Sequence, residues 1–139
     1  MADLVQLGRQ LAEYFSFRPE VLAVYVFGSV AAGRERPGSD VDIAVLLQSA
    51  RNLDRKALLD QWLPDLCRLL RRDVDILVLN DASDVARMQV FRRGRLVLAV
   101  DPGQLARFRM TSLVQYLDFL PHLRRMQARL MDRFASHGG

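Results

Sequence analysis

The chain has 139 residues, of which 50% are hydrophobic and 26% are charged, so its composition is that of a globular domain and excludes a disordered or fibrous protein. The longest uninterrupted apolar run is Val21–Phe27, which is far too short to cross a bilayer. The net charge is +4, but residues 1–85 carry 10 basic and 13 acidic side chains whereas residues 86–139 carry 10 basic and 3 acidic ones, a distribution that suits either an anionic partner or a solvated helix face.

The first half of the chain predicts one helix followed by two strands. Apolar residues recur at helical spacing up to Pro19, which ends the first helix. Val21–Phe27 is a continuous run of β-branched, aromatic and aliphatic residues, the pattern of a strand covered on both faces. A polar loop then leads to a second strand, Asp40–Leu47.

The second half continues the alternation of helices and strands. Its pattern predicts, in chain order, a helix over 52–71, a strand over 73–79, a helix over 84–93, a strand over 95–100, a turn over 101–103 and a long helix from 105 onward. Pro64 predicts a kink or a restart inside the first of these helices.

This order of elements predicts the α/β (α+β) class, with one small mixed sheet flanked by helices and followed by a long C-terminal helix. We expect a single domain over residues 1–139, with its core at about 20–100 and a C-terminal helical segment at about 103–135.

Three acidic residues lie at the starts of predicted strands. Asp40 and Asp42 share one face of their strand because side chains alternate, and Asp75 begins the next strand in a similar apolar setting. Carboxylates at such a short distance repel one another unless a cation or a proton lies between them. Oxygen ligands suit Mg²⁺. The sequence therefore predicts a metal site, for which Asp73 competes with Asp75 as the third acid.

Gly28 and Ser29 directly follow the first predicted strand. A glycine there permits close approach of the backbone to a ligand, and a hydroxyl with backbone N–H groups at a helix start suits phosphate. Alone, the same pair is more typical of a plain turn that ends a strand.

Together these residues carry a resemblance. Gly28-Ser29, ten residues, then Asp40-Val41-Asp42 resembles the Gly-Ser-x10-Asp-x-Asp signature of the polymerase-β-like nucleotidyltransferase superfamily. The short chain is similar, within that superfamily, to the minimal nucleotidyltransferases, the MNT or MntA-like proteins. The likeness covers residues 21–100 by motif and order, and the C-terminal helix by its general character only.

The resemblance implies a nucleotidyltransferase fold and a role for each motif residue. Gly28 and Ser29 would hold the triphosphate of ATP, and Asp40 and Asp42 would bind two Mg²⁺ ions. Asp75 would complete the metal site and favour deprotonation of the acceptor hydroxyl. The further candidates for nucleotide binding lie in the loop between the two halves of the motif and are Arg34, Arg36 and Ser39.

MNT proteins are commonly paired with a HEPN-domain toxin, so the resemblance implies an antitoxin that transfers AMP from ATP to a tyrosine of that partner. Transfer to a small molecule or to RNA, and a binding antitoxin that acts by occlusion, stay open as alternatives. No groove-reading or base-stacking motif is visible, so nucleic acid is not required as a partner.

We expect a cytoplasmic protein with no membrane association. The N-terminus has no secretory pattern, and Cys67 is the only cysteine and therefore has no disulfide partner within the chain.

The predicted C-terminal helix carries an apolar stripe that exceeds what a small sheet can cover. The stripe comprises Leu113, Tyr116, Leu120, Leu123 and Met126. It predicts a surface for partner docking, although packing against the sheet and homodimerisation are alternatives.

Overall fold

Helices and strands alternate along the chain as the sequence pattern predicts. The computed structural model describes residues 2–33, 40–48 and 52–137. Within these ranges the elements are, in chain order, α1 Ala2–Ser16, β1 Val21–Phe27, α2 Gly28–Ala31, β2 Val41–Leu47, α3 Arg55–Leu70, β3 Val74–Val78, a 3₁₀ turn Leu79–Asp81, α4 Asp84–Arg93, β4 Arg95–Ala99 and α5 Pro102–His137.

The four strands form one mixed sheet in the order β3-β2-β1-β4. β1 pairs antiparallel with β2 and with β4, whereas β2 and β3 run parallel. The parallel pair requires a crossover, which α3 supplies. The starts of β2, β3 and β4 therefore lie at the same edge of the sheet as the end of β1, and we call this the carboxylate edge.

Both faces of the sheet are covered. The side chains of Val24, Val26 and Ile43 point to one face and form a core with Phe15 of α1 and Trp62 of α3, whose rings meet edge to face at 5.3 Å. The opposite face packs under α4 and α5. Covering both faces explains why β1 reads as an unbroken apolar run.

One predicted boundary is wrong for a local reason. The predicted turn over 101–103 is instead the start of α5, where Pro102 takes the first helical position and the Asp101 side chain accepts a hydrogen bond from Gln104 N at 3.1 Å. Proline is tolerated there because its missing N–H has no partner in the first turn. At Pro64, where the sequence predicts a kink or a restart, α3 continues as one helix, so the restart does not occur.

Helix α5 has 36 residues and packs against α4 and β1. Leu105 and Ser112 are buried on its inner side, and the Phe108 ring lies 6.1 Å from that of Phe91. The later part of the helix exposes a set of large apolar side chains, namely Met126, Leu130, Met131 and Phe134. None of the helices in the described ranges is both long enough and apolar enough to cross a membrane.

Side-chain hydrogen bonds fix the alignment of β2 with β3 at the end of the sheet opposite the carboxylate edge. The Asn80 side chain accepts a hydrogen bond from Leu47 N at 2.8 Å and donates one to Leu47 O at 3.0 Å. Arg87 donates to the carbonyl oxygens of Leu79 and Asn80 at 2.8 and 2.7 Å. These contacts hold the 3₁₀ turn between β2 and α4.

We predict that Asn80→Ala lowers the free energy of unfolding by about 1–3 kcal/mol, because the buried backbone groups of Leu47 lose both partners. Chemical denaturation measures this change. Asn52→Ala, at an exposed position, is the control and should shift stability by less than about 0.5 kcal/mol. Equal effects of the two substitutions would contradict the role given to Asn80.

Candidate active site at the carboxylate edge

Asp42 and Asp75 are direct neighbours across the parallel strands β2 and β3. The register pairs Asp42 with Asp75 and, on the other side, with Phe27 of β1. Because paired residues share a face, both carboxylates lie on the face that α4 and α5 cover further along the sheet. Asp40 lies one residue before β2 and is exposed. The strand positions thus bring the three predicted acids to one edge.

The competing third acid is placed differently. Asp73 lies one residue before β3, and its carbonyl oxygen accepts a hydrogen bond from Val41 N at 2.9 Å. Asp75 is inside the strand and in register with Asp42. Register therefore favours Asp75 as the residue whose side chain adjoins Asp42.

The three carboxylates oppose one another electrostatically. The pKa of Asp42 is raised, mainly because burial disfavours the charged form and further because of the negative charges of Asp75 and Asp40. Among the described residues, the ion pairs involve other acids and none of these three. The site therefore concentrates negative charge at the starts of β2 and β3.

This donor set fits a hard divalent cation. Carboxylate oxygens are the ligands that Mg²⁺ prefers, and Mg²⁺ commonly binds one or two carboxylates and completes its coordination with water and phosphate oxygens. In the described ranges no three acidic, histidine or cysteine side chains converge closely enough to enclose an ion by themselves. Metal binding by Asp40, Asp42 and Asp75 therefore stays a prediction, one that requires additional oxygen ligands from solvent or substrate.

Gly28 is the residue that lets the backbone approach this acidic pair. It begins α2 with φ +74°, in the left-handed region, and a Cβ atom there would collide with Oδ2 of Asp42. Two independent constraints thus require glycine at this position. Ser29 follows within the same helical turn and is half-buried. The turn therefore brings the backbone of Gly28 next to the Asp42 carboxylate, and Ser29 is the next residue in the chain.

The remaining predicted residues of the nucleotide site cannot be compared with the structure. Arg34, Arg36 and Ser39 lie outside the described residues. Conversely, the structure brings Arg95 to this edge, where it pairs with Val26 beside the end of β1. Sequence reasoning missed Arg95 because it did not predict that β4 pairs with β1.

We predict that Gly28→Ala destabilises the protein more than Gly33→Ala. Both glycines have positive φ, +74° and +71°, but a Cβ at Gly33 meets no atom within 4 Å. The control should cost only the left-handed strain of about 1–2 kcal/mol, whereas Gly28→Ala must also displace the Asp42 carboxylate. Thermal unfolding of both variants measures the difference. Equal losses would show that Gly28 is needed for its backbone conformation alone.

Comparison with known proteins identifies related chains. The chain is 33% identical over 102 residues to the protein adenylyltransferase MntA of Shewanella oneidensis, an alignment that covers 71% of this chain and 70% of that protein. The fold matches a chain of a crystal structure of a toxin–antitoxin with AMP-PNP, with a TM-score of 0.76, 26% identity and coverage of 89% and 98% of the two chains.

A further solved structure contains a tri-AMPylated Shewanella oneidensis HEPN toxin in complex with its MNT antitoxin, and the match has a TM-score of 0.71 at 23% identity over 93% of this chain and 98% of that one. This likeness is one of fold. The sequence profile of the family described as Polymerase beta, Nucleotidyltransferase matches residues 9–102, a range that contains α2, the three aspartates and all four strands. The chain therefore belongs to the polymerase beta nucleotidyltransferase family.

Proposed function

We propose that this protein transfers AMP from ATP, with Mg²⁺, to a tyrosine hydroxyl of a HEPN toxin in the cytoplasm, and thereby acts as the antitoxin of a toxin–antitoxin pair. The observation that carries the proposal is the pairing of Asp42 with Asp75 next to the Gly28 turn. The adenylyltransferase activity that the 33% identical relative's name states supports the reaction class.

The donor substrate follows from the chemistry of the edge. Three neighbouring acids favour a cation, and a cation held there would neutralise phosphate oxygens and polarise the α-phosphorus. Gly28 and Ser29 would contact the triphosphate through backbone N–H groups and a hydroxyl. AMP-PNP in the matched toxin–antitoxin structure supports ATP as the donor.

The acceptor would approach from the side of Asp75. This carboxylate is exposed at the outer strand β3, so it can accept the proton of an incoming hydroxyl while Asp42 remains half-buried. A tyrosine hydroxyl has an ordinary pKa near 10, and a neighbouring carboxylate that takes up its proton assists the attack. Asp75 is thus the base of the proposed reaction.

The docking surface that we propose is the later part of α5. Met126, Leu130, Met131 and Phe134 are exposed, and the same stretch carries several arginines. Tyr116, Leu120 and Leu123, which the sequence pattern assigned to the same stripe, are half-buried. A large exposed apolar surface on a small protein favours a partner protein, and this feature also distinguishes the proposal from transfer to a small molecule.

We predict that Asp42→Asn raises the unfolding temperature of the metal-free protein at neutral pH. The pKa of Asp42 is raised on folding, so ionisation of this carboxylate destabilises the folded state; the loss grows as the pH rises from the unfolded-state pKa to the folded-state pKa and is constant above it. Asparagine cannot ionise and removes the penalty. Calorimetric scans in a chelator measure the shift.

The same scans test the site assignment when Mg²⁺ and AMP-PNP are added. Ligands stabilise the state that binds them, so the wild-type protein should gain stability whereas Asp42→Asn and Asp75→Asn should not. Asp73→Asn, the neighbouring acid outside the strand, is the control and should respond like the wild type. An unchanged response in both strand variants would refute the proposed site.

We predict that Phe134→Asp abolishes partner binding and AMP transfer but leaves AMP-PNP binding unchanged. The side chain of Phe134 is 75% exposed on α5, and Phe17→Asp is a matched control because Phe17 is 76% exposed beyond α1. Co-purification with the toxin and intact mass of the toxin are the measurements. Normal AMP transfer by Phe134→Asp would exclude this part of α5, and binding without any added AMP in the wild type would favour occlusion.

A further inference from the structure

The carboxylate edge carries opposite charges at its two sides. Across the sheet order, the residues at this edge are Asp75 on β3, Asp42 on β2, the Phe27–Gly28 turn after β1, and Arg95 on β4. Two interstrand spacings of about 4.8 Å separate the backbones of β2 and β4. The acidic side and the basic side thus flank the Gly28 turn at a separation that a triphosphate can bridge.

The basic side is a rigid corner formed by Arg93, Gly94 and Arg95. Arg93 ends α4 and Arg95 begins β4. Gly94 N donates a hydrogen bond to Val90 O at 2.7 Å, and a Cβ at Gly94 would lie 2.5 Å from that oxygen and 3.3 Å from Val26 O. A side chain at Gly94 would therefore collide with the last turn of α4 and crowd the backbone of β1, so the corner that carries both arginines is closely packed on these two elements.

The side chains of Arg93 and Arg95 form no hydrogen bond or ion pair that stabilises the described part of the fold. Both are exposed, and neither takes part in a hydrogen bond or an ion pair recorded among the described residues. Arg87 and Arg55, in contrast, bind carbonyl or carboxylate oxygens. Two arginines without such contacts, beside the last residues of β1, offer a site for a polyanion.

The two arginines approach the edge from different faces. Arg95 pairs with Val26, whose side chain lies in the core under α1 and α3. Arg93 belongs to α4, which packs on the opposite face, where Asp42 lies. The pair therefore borders the end of β1 on both sides.

We propose that Arg93 and Arg95 bind the β- and γ-phosphates of ATP and stabilise pyrophosphate as it leaves. The inference rests on the proposed function in taking a nucleoside triphosphate as donor. The acceptor oxygen forms its bond to the α-phosphorus. At the same time the bond between that phosphorus and the oxygen that bridges the α- and β-phosphates breaks, and the electron pair leaves with pyrophosphate. The hydroxyl proton passes to Asp75. Attack and departure are in line, so an acceptor on the Asp75 side sends the leaving group toward β1 and β4, where these cations lie.

The test is calorimetric titration of the full chain with three probes in the presence of Mg²⁺, namely AMP-PNP, inorganic pyrophosphate and AMP. The double variant Arg93→Gln/Arg95→Gln should bind AMP-PNP and pyrophosphate about 10- to 100-fold more weakly, which is the loss of one to two charge-assisted contacts. AMP binding should stay within twofold of the wild type. Arg107→Gln is the control, because Arg107 is exposed on α5 near the opposite edge.

Unchanged AMP-PNP affinity in the double variant would overturn the proposal, and so would an equal loss of affinity for AMP and AMP-PNP, which would indicate a general loss of the site. Matching unfolding temperatures establish that both variants are folded. The titrations contain no partner, so they separate this inference from the choice of acceptor: a wild-type protein that binds AMP-PNP but modifies no tyrosine would contradict the proposed acceptor and leave the arginine site intact.

Discussion

The parallel pairing of β2 with β3 is the constraint on which the site depends. A strand that crosses over through a helix returns to the same edge, so the starts of both strands and their acids become neighbours. A shift of one residue would turn Asp75 to the other face of the sheet and separate it from Asp42. The hydrogen bonds of Asn80 to Leu47, at the other end of the same strands, oppose such a shift.

The acids at the carboxylate edge lower the stability of the folded state, and the rest of the fold must offset this loss. Asp42 is half-buried beside two other acids, so its ionisation opposes folding while no cation is bound. The cores on both sides of the sheet, with Trp62 and Phe15 fully buried on one of them, supply the stabilisation that makes this tolerable. Destabilised groups held by a rigid scaffold are a recurring property of active sites, because the same charge that opposes folding binds the ligand.

The elements and the acids were predictable because they depend on local patterns, whereas the neighbours of β4 were not. Apolar runs identified β1 and β2, whereas the predicted shared face of Asp40 and Asp42 stays a prediction because Asp40 lies one residue before β2. Alternation could not choose between Asp73 and Asp75, since both satisfy the same period; only the register with β2 separates them.

The pairing of β4 with β1 is a tertiary property that the sequence pattern does not reveal. From the sequence alone, Arg93 and Arg95 are two among the many basic residues of the second half of the chain. The stripe on α5 was only partly predicted for a similar reason. Helical spacing gives the face of a residue, but the extent to which Tyr116, Leu120 and Leu123 are covered depends on how the helix lies in the fold.

The length of α5 sets a distance criterion for any partner that would contact both its end and the carboxylate edge. The helix crosses α4 from Phe91, which contacts Phe108, toward the start of α4, where Phe119 lines a cavity with Ser83. Residues 121–137 extend for about 25 Å at 1.5 Å per residue, and α4 adds about 15 Å between its start and the edge. The two lengths together set an upper bound on the order of 40 Å for the distance between the two places, compared with the roughly 30 Å diameter of a small domain. A partner that contacts both places therefore has to extend along α4 and the last part of α5, and contact at one point alone does not reach both.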